Sequence, residues 1–540
     1  MGEVLGSQTD AENFAFGLSR RLLSVAPAFE GVPQLNIWEE GLLLQLIAIF
    51  QNVRLDAWIT NGGYQVCRLM GGSHERLAAT QAVTGSTYSI EREHISHSSL
   101  HAKVQKQFSS DGFRAIPRLM RLAARRMMPC SSRFVEALPG KLLNSFRPGG
   151  AWFYNTSYND TGIGIAYDGH LGMPLQYVFN DPTTAGRKLR EAGKPGISIH
   201  SFLRFWDLPN ASQVKTHAAE ITRALGTLPL SGMELQARDI LLRSPAYAYF
   251  LRRLLPLYMM DTRAARRMLE ATRPEILFVG NPAWQRPLLL QARERRIPTV
   301  LLQHGVMAFD LRFADQPVDT SFVRGQFFQQ LLNPSLKERS VVLNIPASVS
   351  VPPPRSTGRD IIFISAPLHV LPLYHEGELR EIIGTLLAIS ARLHRCFVVR
   401  VHPMESVGSY RKLVGELCSE LGVAPEVIYS QGPGLDDALK SSAVAVLFFS
   451  TVFLDCLRLG VPIVSFDWHE FPYKAHYKEE RIFNFADDLA HLSELVEQGA
   501  AGQLPYKAED LELFLWNTSG DEIAAKVRSL LQRSPVTEAK

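Results

Sequence analysis

The sequence predicts an α/β protein with two Rossmann-like lobes, preceded by a mostly helical N-terminal extension. Three observations lead to this prediction. Short apolar segments alternate with helical patterns after residue 150, the segment Val351-Pro352-Pro353-Pro354 interrupts the alternation, and a second alternation follows it. Short buried strands separated by helices are typical of doubly wound parallel sheets. A chain of 540 residues also exceeds what one hydrophobic core requires, so more than one domain is expected.

The proline segment is predicted to be a linker, because it is extended and cannot continue a helix or a sheet. Before the first lobe, one strand is predicted at Arg54–Thr60, ending in the turn signal Asn61-Gly62-Gly63. The predicted regions are a helical extension at 1–147, a first lobe at 148–350, a second lobe at 351–510 and a helical tail at 511–540.

Each lobe has a series of short apolar segments that are predicted to form its strands. In the first lobe these are Ala151–Ser157, Leu175–Asn180, Gly196–Phe202, Glu275–Gly280 and Pro298–Gln303. In the second lobe they are Asp360–Ser365, Cys396–His402, Val427–Ser430, Ala443–Ser450 and Val461–Asp467. A long stretch, about 212–271, has a helical pattern between the third and fourth strands of the first lobe.

The composition is that of an ordinary folded protein, with 46% hydrophobic residues, 20% charged residues and a net charge of +4. A charge this small gives no indication of nucleic-acid binding, and we expect none. The five cysteines are an odd number without a Cys-x-x-Cys pair, which favours reduced thiols over disulfides or a zinc site. The chain start lacks the features of a signal peptide, and no apolar stretch reaches the roughly 20 residues of a membrane span. We therefore expect a cytoplasmic protein, or one peripheral to the inner face of a membrane.

The segment Val444–Asp467 contains the most informative group of polar residues. Ser450 and Thr451 follow a buried strand at the point where a helix is predicted to begin, and Asp455 lies one turn further on. Hydroxyl groups beside the free backbone N–H groups of a helix N-terminus can hold a phosphate. Asp455 could then accept hydrogen bonds from ribose hydroxyls. The alternative is simple N-capping of the helix, which serine and threonine commonly perform.

A second group lies at Cys396–Met404. His402-Pro403 comes just after the carboxyl end of a predicted strand, which is where open α/β sheets bind ligands, and Arg400 lies two residues earlier. An imidazole at that place could donate a hydrogen bond to a phosphate oxygen. A histidine that only caps or fills the core is the alternative.

A third group follows the strand at the end of the first lobe. Gln303-His304-Gly305 combines a glycine that permits a tight turn with a histidine that we expect at the mouth of the first sheet. With two lobes facing a cleft, His304 would face the second lobe and would be a candidate for the chemical step.

The order of these motifs resembles that of bacterial cell-surface polymer transferases. Gln303-His304-Gly305 is followed by His402-Pro403 and then by Ser450-Thr451, an acidic residue and Gly-x-Pro. The similar enzymes are capsule-polysaccharide transferases of the Kdo-transferase type, polysialyltransferases and teichoic-acid glycerophosphotransferases. The resemblance covers roughly residues 270–470. It implies the GT-B arrangement of two Rossmann-like lobes, a CMP- or CDP-activated donor, and contact of His402 and Ser450-Thr451 with the donor's phosphate.

The polysialyltransferase-like acidic motif does not occur as such in the chain. The nearest segment is Asn159-Asp160-Thr161-Gly162, which we interpret as the loop after the first strand of the first lobe. A carboxylate there could deprotonate an acceptor hydroxyl or act as a nucleophile. Asp160 is equally suited to a turn before Gly162.

Two segments combine basic and apolar residues. Residues 113–147 contain eight Arg or Lys against the one acid Glu136, and residues 250–260 are similar in character. Such surfaces suit an anionic or lipid-linked acceptor, or membrane headgroups. A solvated helix face packed on a domain is the alternative.

Together these observations predict a glycosyltransferase that moves a sugar, such as Kdo or a sialic-acid-like sugar activated by CMP, onto a bacterial surface glycan, glycolipid or glycoprotein. A CDP-polyol phosphotransferase, a nucleotide-sugar epimerase and a non-catalytic nucleotide- or glycan-binding scaffold remain alternatives. We expect no cofactor and no metal requirement, because helix dipoles, hydroxyls and histidine can neutralise a phosphate and no carboxylate pair of metal-binding type is evident at a strand end.

Overall fold

The computed structural model describes most of residues 148–533 and a small part of the chain before them. In the main part it leaves out 156–157, 181–184, 204–206, 281, 304–317, 333, 344–355, 366–375, 403–404, 433, 449, 466–482, 505–510 and 515–517. Before residue 148 it describes 8–29, 32–33, 66–69, 89–92 and single positions between 42 and 86.

The described residues of the N-terminal part include a long helix, two strand pairs and further helical positions between 42 and 84. The helix is α1 (Gln8–Val25). Strands β1 (Ala28–Phe29) and β2 (Val32–Pro33) pair antiparallel, and β3 (Val66–Leu69) and β4 (Ser89–Arg92) pair in parallel. The predicted strand at Arg54–Thr60 and the basic segment 113–147 lie outside the described residues.

The first large sheet has seven strands in the order β11-β10-β9-β8-β5-β6-β7. Their bounds are β5 (Ala151–Asn155), β6 (Leu175–Phe179), β7 (Gly196–Ser198), β8 (Ile276–Val279), β9 (Thr299–Leu302), β10 (Thr320–Val323) and β11 (Ser340–Val342). Strand β5 is central and pairs in parallel with β6 on one side and β8 on the other. All five residues of β5 are buried, which is typical of a parallel sheet covered on both faces.

Helices connect these strands. The helices are α2 (Tyr158–Asp168), α3 (Ala185–Glu191), α4 (Ala211–Thr227), α5 (Gly232–Arg243), α6 (Pro245–Tyr249), α7 (Leu255–Thr272), α8 (Pro282–Glu294), α9 (Gln326–Gln330) and α10 (Pro334–Glu338). One turn of π-helix, Phe250–Leu254, joins α6 to α7.

The second large sheet has six strands in the order β14-β13-β12-β15-β16-β17, and every neighbouring pair is parallel. The strands are β12 (Asp360–Ile364), β13 (Phe397–Arg400), β14 (Val427–Ser430), β15 (Ser442–Leu447), β16 (Ile463–Ser465) and β17 (Phe483–Phe485). The helices of this part of the chain are α11 (Glu376–Arg392), α12 (Val407–Leu421), α13 (Leu435–Lys440), α14 (Val452–Arg458), α15 (Leu489–Ala500) and α16 (Leu511–Phe514). The last helix, α17 (Gly520–Arg533), belongs by its contacts mostly to the same unit as the first sheet.

The two sheets confirm the predicted α/β class with two Rossmann-like lobes. When the strands of each sheet are numbered in chain order, their spatial order is 3-2-1-4-5-6 in the second sheet and 3-2-1-4-5-6-7 in the first. In both sheets the direction of this order reverses between strands 1 and 4, as in doubly wound folds.

By its internal contacts the chain divides into two compact units. The first unit comprises Met1–Leu302, Asp315–Ser321 and Ile523–Lys540, and the second comprises Gln303–Ala314 and Phe322–Glu522. The division passes through β10. Gln303, and the chain from Phe322 to Glu522, therefore belong to the same unit as the second sheet.

Most predicted strands and helices are present, and the differences are local. The strands β10, β11 and β17 are not predicted by the sequence, and neither are the four short strands β1 to β4 in the extension predicted to be mostly helical. The strand predicted at Gly196–Phe202 ends at Ser198, and Ile199–Phe202 forms a 3-10 turn. The predicted loop Asn159–Gly162 is wrong, because α2 already begins at Tyr158.

Close packing explains the early start of α2. A Cβ on Gly164 would stand 2.8 Å from the ring of Phe153 on β5, so the helix lies directly against the central strand. This contact favours a helix where the local residues are also suited to a turn. Among the helices that the structure describes, none is both long and apolar enough to cross a membrane.

Gly358 provides a test of the packing at the start of β12. A Cβ at this position would stand 2.3 Å from the carbonyl carbon of Ser441, so Gly358→Ala forces backbone to move. We expect a loss of about 1–3 kcal/mol of stability, as for overpacked cores. The measurement is the melting temperature of the purified variant.

Gly415→Ala is the matched control, because Gly415 lies exposed on α12 with nothing within 4 Å of an added Cβ. It should raise stability by up to about 1 kcal/mol, since alanine is the better helix former. Equal melting temperatures for the two variants would contradict the tight contact at Gly358.

Candidate functional site

The strand order of the second sheet reverses between β12 and β15. Ile364, the last residue of β12, pairs with Arg400 of β13 and with Leu447 of β15. The three strands therefore end level with one another, and the residues that follow them lie side by side. In open α/β sheets this reversal point, at the carboxyl ends of the strands, is where ligands bind.

The loop that follows β13 is held by hydrogen bonds from three directions. The backbone N–H of His402 donates to Oγ of Ser365 at 2.8 Å, and Ser365 Oγ donates to Glu405 at 2.5 Å. The side-chain amide of Gln431 donates to the carbonyl oxygens of His402, at 2.8 Å, and Glu405, at 3.0 Å. Because Ser365 is buried and follows β12, the half-buried His402 is fixed beside the reversal point.

Glu405 also contacts Tyr410, whose hydroxyl donates to the carboxylate at 3.3 Å. Burial raises the pKa of Tyr410 well above its usual value, and the charge of Glu405 raises it further. Tyr410 therefore stays a neutral donor, which suits a carboxylate partner. The Tyr410 hydroxyl thus helps to hold Glu405, which accepts the hydrogen bond from Ser365.

Arg400 ends β13 and is 9% exposed. Its guanidinium donates to the carbonyl oxygen of Gly432, and burial lowers its pKa. Gly432 and Gly434 have φ angles of 77° and 87°, a backbone conformation that favours glycine. The side chain of Arg400 is therefore directed towards a glycine loop that follows β14.

Ser450 and Thr451 lie between β15 and α14. The backbone N–H of Val452 donates to Ser450 Oγ at 3.4 Å, whereas Thr451 is the N-cap residue and its side chain makes no capping hydrogen bond. Both side chains are half-buried. Simple N-capping by Thr451 therefore does not describe this turn.

Asp455 belongs to a group of charges on α14 and its neighbours. Arg458 contacts Asp436 of α13 at 2.7 Å and Asp455 at 3.5 Å. Burial raises the pKa of Asp455; Arg458 and Arg324 oppose this rise, and Asp436 adds to it. The next residue, Cys456, is fully buried, and burial followed by the charge of Asp455 raises its thiol pKa well above its usual value.

Arg324, just after β10, is the second cation whose charge lowers the pKa of Asp455. Its backbone N–H donates to Oε1 of Gln303 at 3.0 Å, and its Nε donates to the carbonyl oxygen of Gln303 at 3.2 Å. Gln303 is 2% exposed and is the first residue of the Gln303-His304-Gly305 motif. Arg324, Gln303 and Asp455 all belong to the second unit.

The structure describes five of the residues that the sequence predicts to bind the nucleotide. Arg400 ends a strand of the second sheet, and His402, Ser450 and Thr451 follow strands of that sheet. Asp455 lies on the helix after one of these strands. Pro403 and His304 lie outside the described residues. Asp160 lies in the first turn of α2, after the central strand β5 and not in a loop. Its side chain is not among those described.

Sequence reasoning missed Ser365, Glu405, Gln431 and Arg324. Glu405 is three residues beyond His402, and this spacing could have drawn attention to it. The other three are far along the chain from the residues they hold and have no local pattern. Among the residues that the structure describes, no group of three or more His, Cys, Asp or Glu side chains could hold a metal ion.

No protein-family model matches the chain, and no curated protein sequence matches it. Solved structures give distant similarities. UDP-GlcNAc 2-epimerase from Neisseria meningitidis, bound to UDP-GlcNAc, has 12% sequence identity and a TM-score of 0.43, over 71% of this chain and 98% of that one. The apo lipopolysaccharide outer core galactosyltransferase WaaB has 10% identity and a TM-score of 0.39, over 71% and 99%. Acinetobacter baumannii MurG has 11% identity and a TM-score of 0.38, over 71% and 100%. Similarity at this level carries no information about function.

Ser365→Ala tests the support of the His402 loop. The change removes the acceptor of the His402 N–H and the donor to Glu405, so we expect a loss of about 1–3 kcal/mol of stability. Ser419→Ala is the control, because that exposed hydroxyl donates only to the carbonyl of Gly415 in its own helix. Thermal denaturation measures both, and equal melting temperatures would show that Ser365 does not hold the loop.

Proposed function

We propose that the protein is a glycosyltransferase that binds a nucleotide-activated sugar at the carboxyl edge of its second sheet. One observation carries the proposal: β12, β13 and β15 end level with one another at the strand-order reversal, with the clamped His402 loop and the Ser450-Thr451 turn beside it. A phosphate group at that edge would meet donors from separate strands. Such convergence is what a phosphorylated ligand requires.

The roles of the residues follow from their chemistry. His402 would donate to a phosphate oxygen and Arg400 would add positive charge, while Ser450 and Thr451 would supply hydroxyl donors. Asp455, when ionised, accepts hydrogen bonds only, which suits the hydroxyls of a ribose. We propose that this set neutralises the phosphate without a cofactor or a metal ion.

The donor and acceptor are a finer proposal. We infer a CMP-activated ulosonic acid, such as Kdo or a sialic-acid-like sugar, from the motif resemblance alone, and a bacterial surface glycan, glycolipid or glycoprotein as acceptor. We assign the donor to residues 351–510 and the acceptor to 148–350. Around the π-turn Phe250–Leu254, Tyr249 is 38% exposed and Arg252 is exposed, which supports contact with an anionic acceptor or a membrane surface.

The experiment has two stages. A thermal-shift panel with CMP, CDP, UDP and GDP identifies the nucleotide, because a ligand that binds only the folded state raises the melting temperature. The corresponding nucleotide-sugar is then incubated with and without candidate acceptors, after exhaustive EDTA treatment. Acceptor-dependent release of nucleotide by the EDTA-treated protein supports the proposal.

Other outcomes identify the alternatives. Conversion of the donor sugar without an acceptor indicates an epimerase, and polyol-phosphate transfer from a CDP-polyol indicates a phosphotransferase. Binding without turnover of any donor indicates a scaffold. Activity that EDTA abolishes and Mg²⁺ or Mn²⁺ restores would show a metal requirement.

His402→Ala should weaken nucleotide binding by about 1.5–3 kcal/mol, the usual range for a hydrogen bond to a charged group. Calorimetric titration measures the affinity. His170→Ala is the control, because His170 lies between α2 and β6 in the first unit, away from the second sheet in the sequence. An unchanged affinity in a folded His402→Ala protein would remove His402 from the site.

Asp160 and His304 are proposed to act in the chemical step. His304→Ala and Asp160→Asn should each lower transfer by on the order of 10²-fold while nucleotide affinity stays almost unchanged. Asn keeps the size of Asp160 and removes its charge, so it isolates the role of the carboxylate. Lower melting temperatures with normal turnover per folded molecule would instead indicate structural roles for both residues.

A further inference from the structure

Four polar side chains lie at the carboxyl ends of three neighbouring strands of the first sheet. Asn155 ends β5, Asn180 directly follows β6, Ser198 ends β7, and His200 lies in the 3-10 turn after β7. Asn155 pairs with Phe179 of β6, and Phe179 pairs with Ser198, so the three strands end level with one another. The carboxyl edge is the one at which open α/β sheets bind ligands.

Each of these side chains has a buried polar atom with no hydrogen-bond partner among the residues that the structure describes. The atoms are Oδ1 of Asn155, Oδ1 of Asn180, Oγ of Ser198 and Nδ1 of His200. Asn155 is fully buried, and His200 is 1% exposed. Native proteins pair the great majority of their buried polar atoms, because an unpaired one is costly. Four such atoms along one edge of a sheet indicate partners from outside the chain.

The hydrogen bonds of Asn155 fix which atom of its amide is unpaired. Its Nδ2 donates to the carbonyl oxygen of Val178 at 3.2 Å and to that of Phe153 at 3.4 Å. A carbonyl oxygen only accepts hydrogen bonds, so the amide nitrogen must be the atom that faces these two groups. The unpaired atom is therefore the amide oxygen, which can only accept.

His200 supplies a second acceptor, because Asp261 fixes the tautomer of its ring. Nε2 of His200 lies 2.9 Å from Oδ1 of Asp261 on α7. A carboxylate only accepts hydrogen bonds, so Nε2 carries the proton of this pair, and Nδ1 of the neutral ring keeps a lone pair. The chain thus holds the ring at one nitrogen and leaves an acceptor at the other.

These two acceptors restrict the chemistry of the partner. It must supply donors at more than one point, and an ionised phosphate or carboxylate supplies none. Asn180 and Ser198 are less restrictive, because an amide contains both a donor and an acceptor and a hydroxyl can act as either. A sugar ring carries hydroxyls on neighbouring carbons, and each hydroxyl can donate one hydrogen bond. A hydroxyl-rich, uncharged ring therefore suits the edge.

We propose that the carboxyl ends of β5, β6 and β7 bind the hydroxyl groups of a neutral sugar. We assign this sugar to the end of the acceptor, and that assignment rests on the proposed function. Asp160, a candidate for the chemical step, lies on α2, which begins at Tyr158 soon after Asn155. The residues of the site all belong to the first unit, so sugar binding can be tested separately from nucleotide binding.

The experiment measures the binding of four methyl glycosides, those of glucose, galactose, mannose and N-acetylglucosamine, to the full-length protein by saturation-transfer NMR. We expect the wild type to bind at least one of them. Ser198→Ala and His200→Gln should each weaken this binding by about two- to tenfold, the usual range for one hydrogen bond. Glutamine keeps a donor for Asp261 and removes the Nδ1 acceptor.

Melting temperatures separate a loss of binding from a loss of structure. Ser198→Ala should leave the melting temperature unchanged or raise it, because the hydroxyl has no partner to lose among the described residues. Ser390→Ala is the matched control. Its hydroxyl is also buried and unpaired within the described part of the chain, but it lies on α11 in the second unit. This variant should bind the glycoside as the wild type does.

The failures are distinguishable. A wild type that binds a nucleotide but no glycoside of the panel overturns this inference alone. A wild type that binds a glycoside but none of CMP, CDP, UDP and GDP overturns the proposed function and leaves a sugar-binding edge without its assigned acceptor. Glycoside binding that Ser198→Ala and His200→Gln both leave unchanged would show that only ordered water satisfies these atoms, and it also overturns the inference.

Discussion

Strand β12 lies at the centre of the second sheet, and its hydrogen bonding to β13 and β15 determines where the polar side chains of the candidate site lie. The pairing of Ile364 with both Arg400 and Leu447 brings three chain segments to one line, although they are separated by tens of residues. A change of register on either side would move the loop after that strand relative to its neighbours. The glycine contact at the start of β12 and the Ser365 bonds at its end hold the strand at both ends.

The sequence predicts the central strands well, because their residues are buried on both faces. Strands β5, β8, β12 and β15 are continuous apolar segments, and no other element type suits such segments between helices. Strands β10, β11 and β17 contain polar residues such as Thr320, Ser340 and Asn484, and they occupy positions at or near the sheet edges. These segments form strands because they pair with a neighbouring strand of the sheet, and the local sequence does not show that pairing.

The same reasoning explains what was predicted at the candidate site. His402, Ser450 and Asp455 could be predicted as candidates because they come two or three residues after a strand or one turn into a helix, and apolar patterns indicate where strands end. Ser365 and Gln431 hold the His402 loop from other strands, so their roles exist only in the folded chain. Asp160 was expected in a loop because Asp-Thr-Gly suits a turn. The packing of Gly164 on Phe153 makes the segment helical instead.

The complete burial of Cys456 makes this thiol a reporter on the local opening of α14. A thiol with a strongly raised pKa and no solvent contact cannot be alkylated in the closed state. The labelling rate in the native protein would then measure how often the helix beneath Asp455 detaches from the sheet. Ligands that hold the helix in place would slow this reaction, even where they cause no other change in the protein. One native cysteine could in this way measure site dynamics without an introduced label.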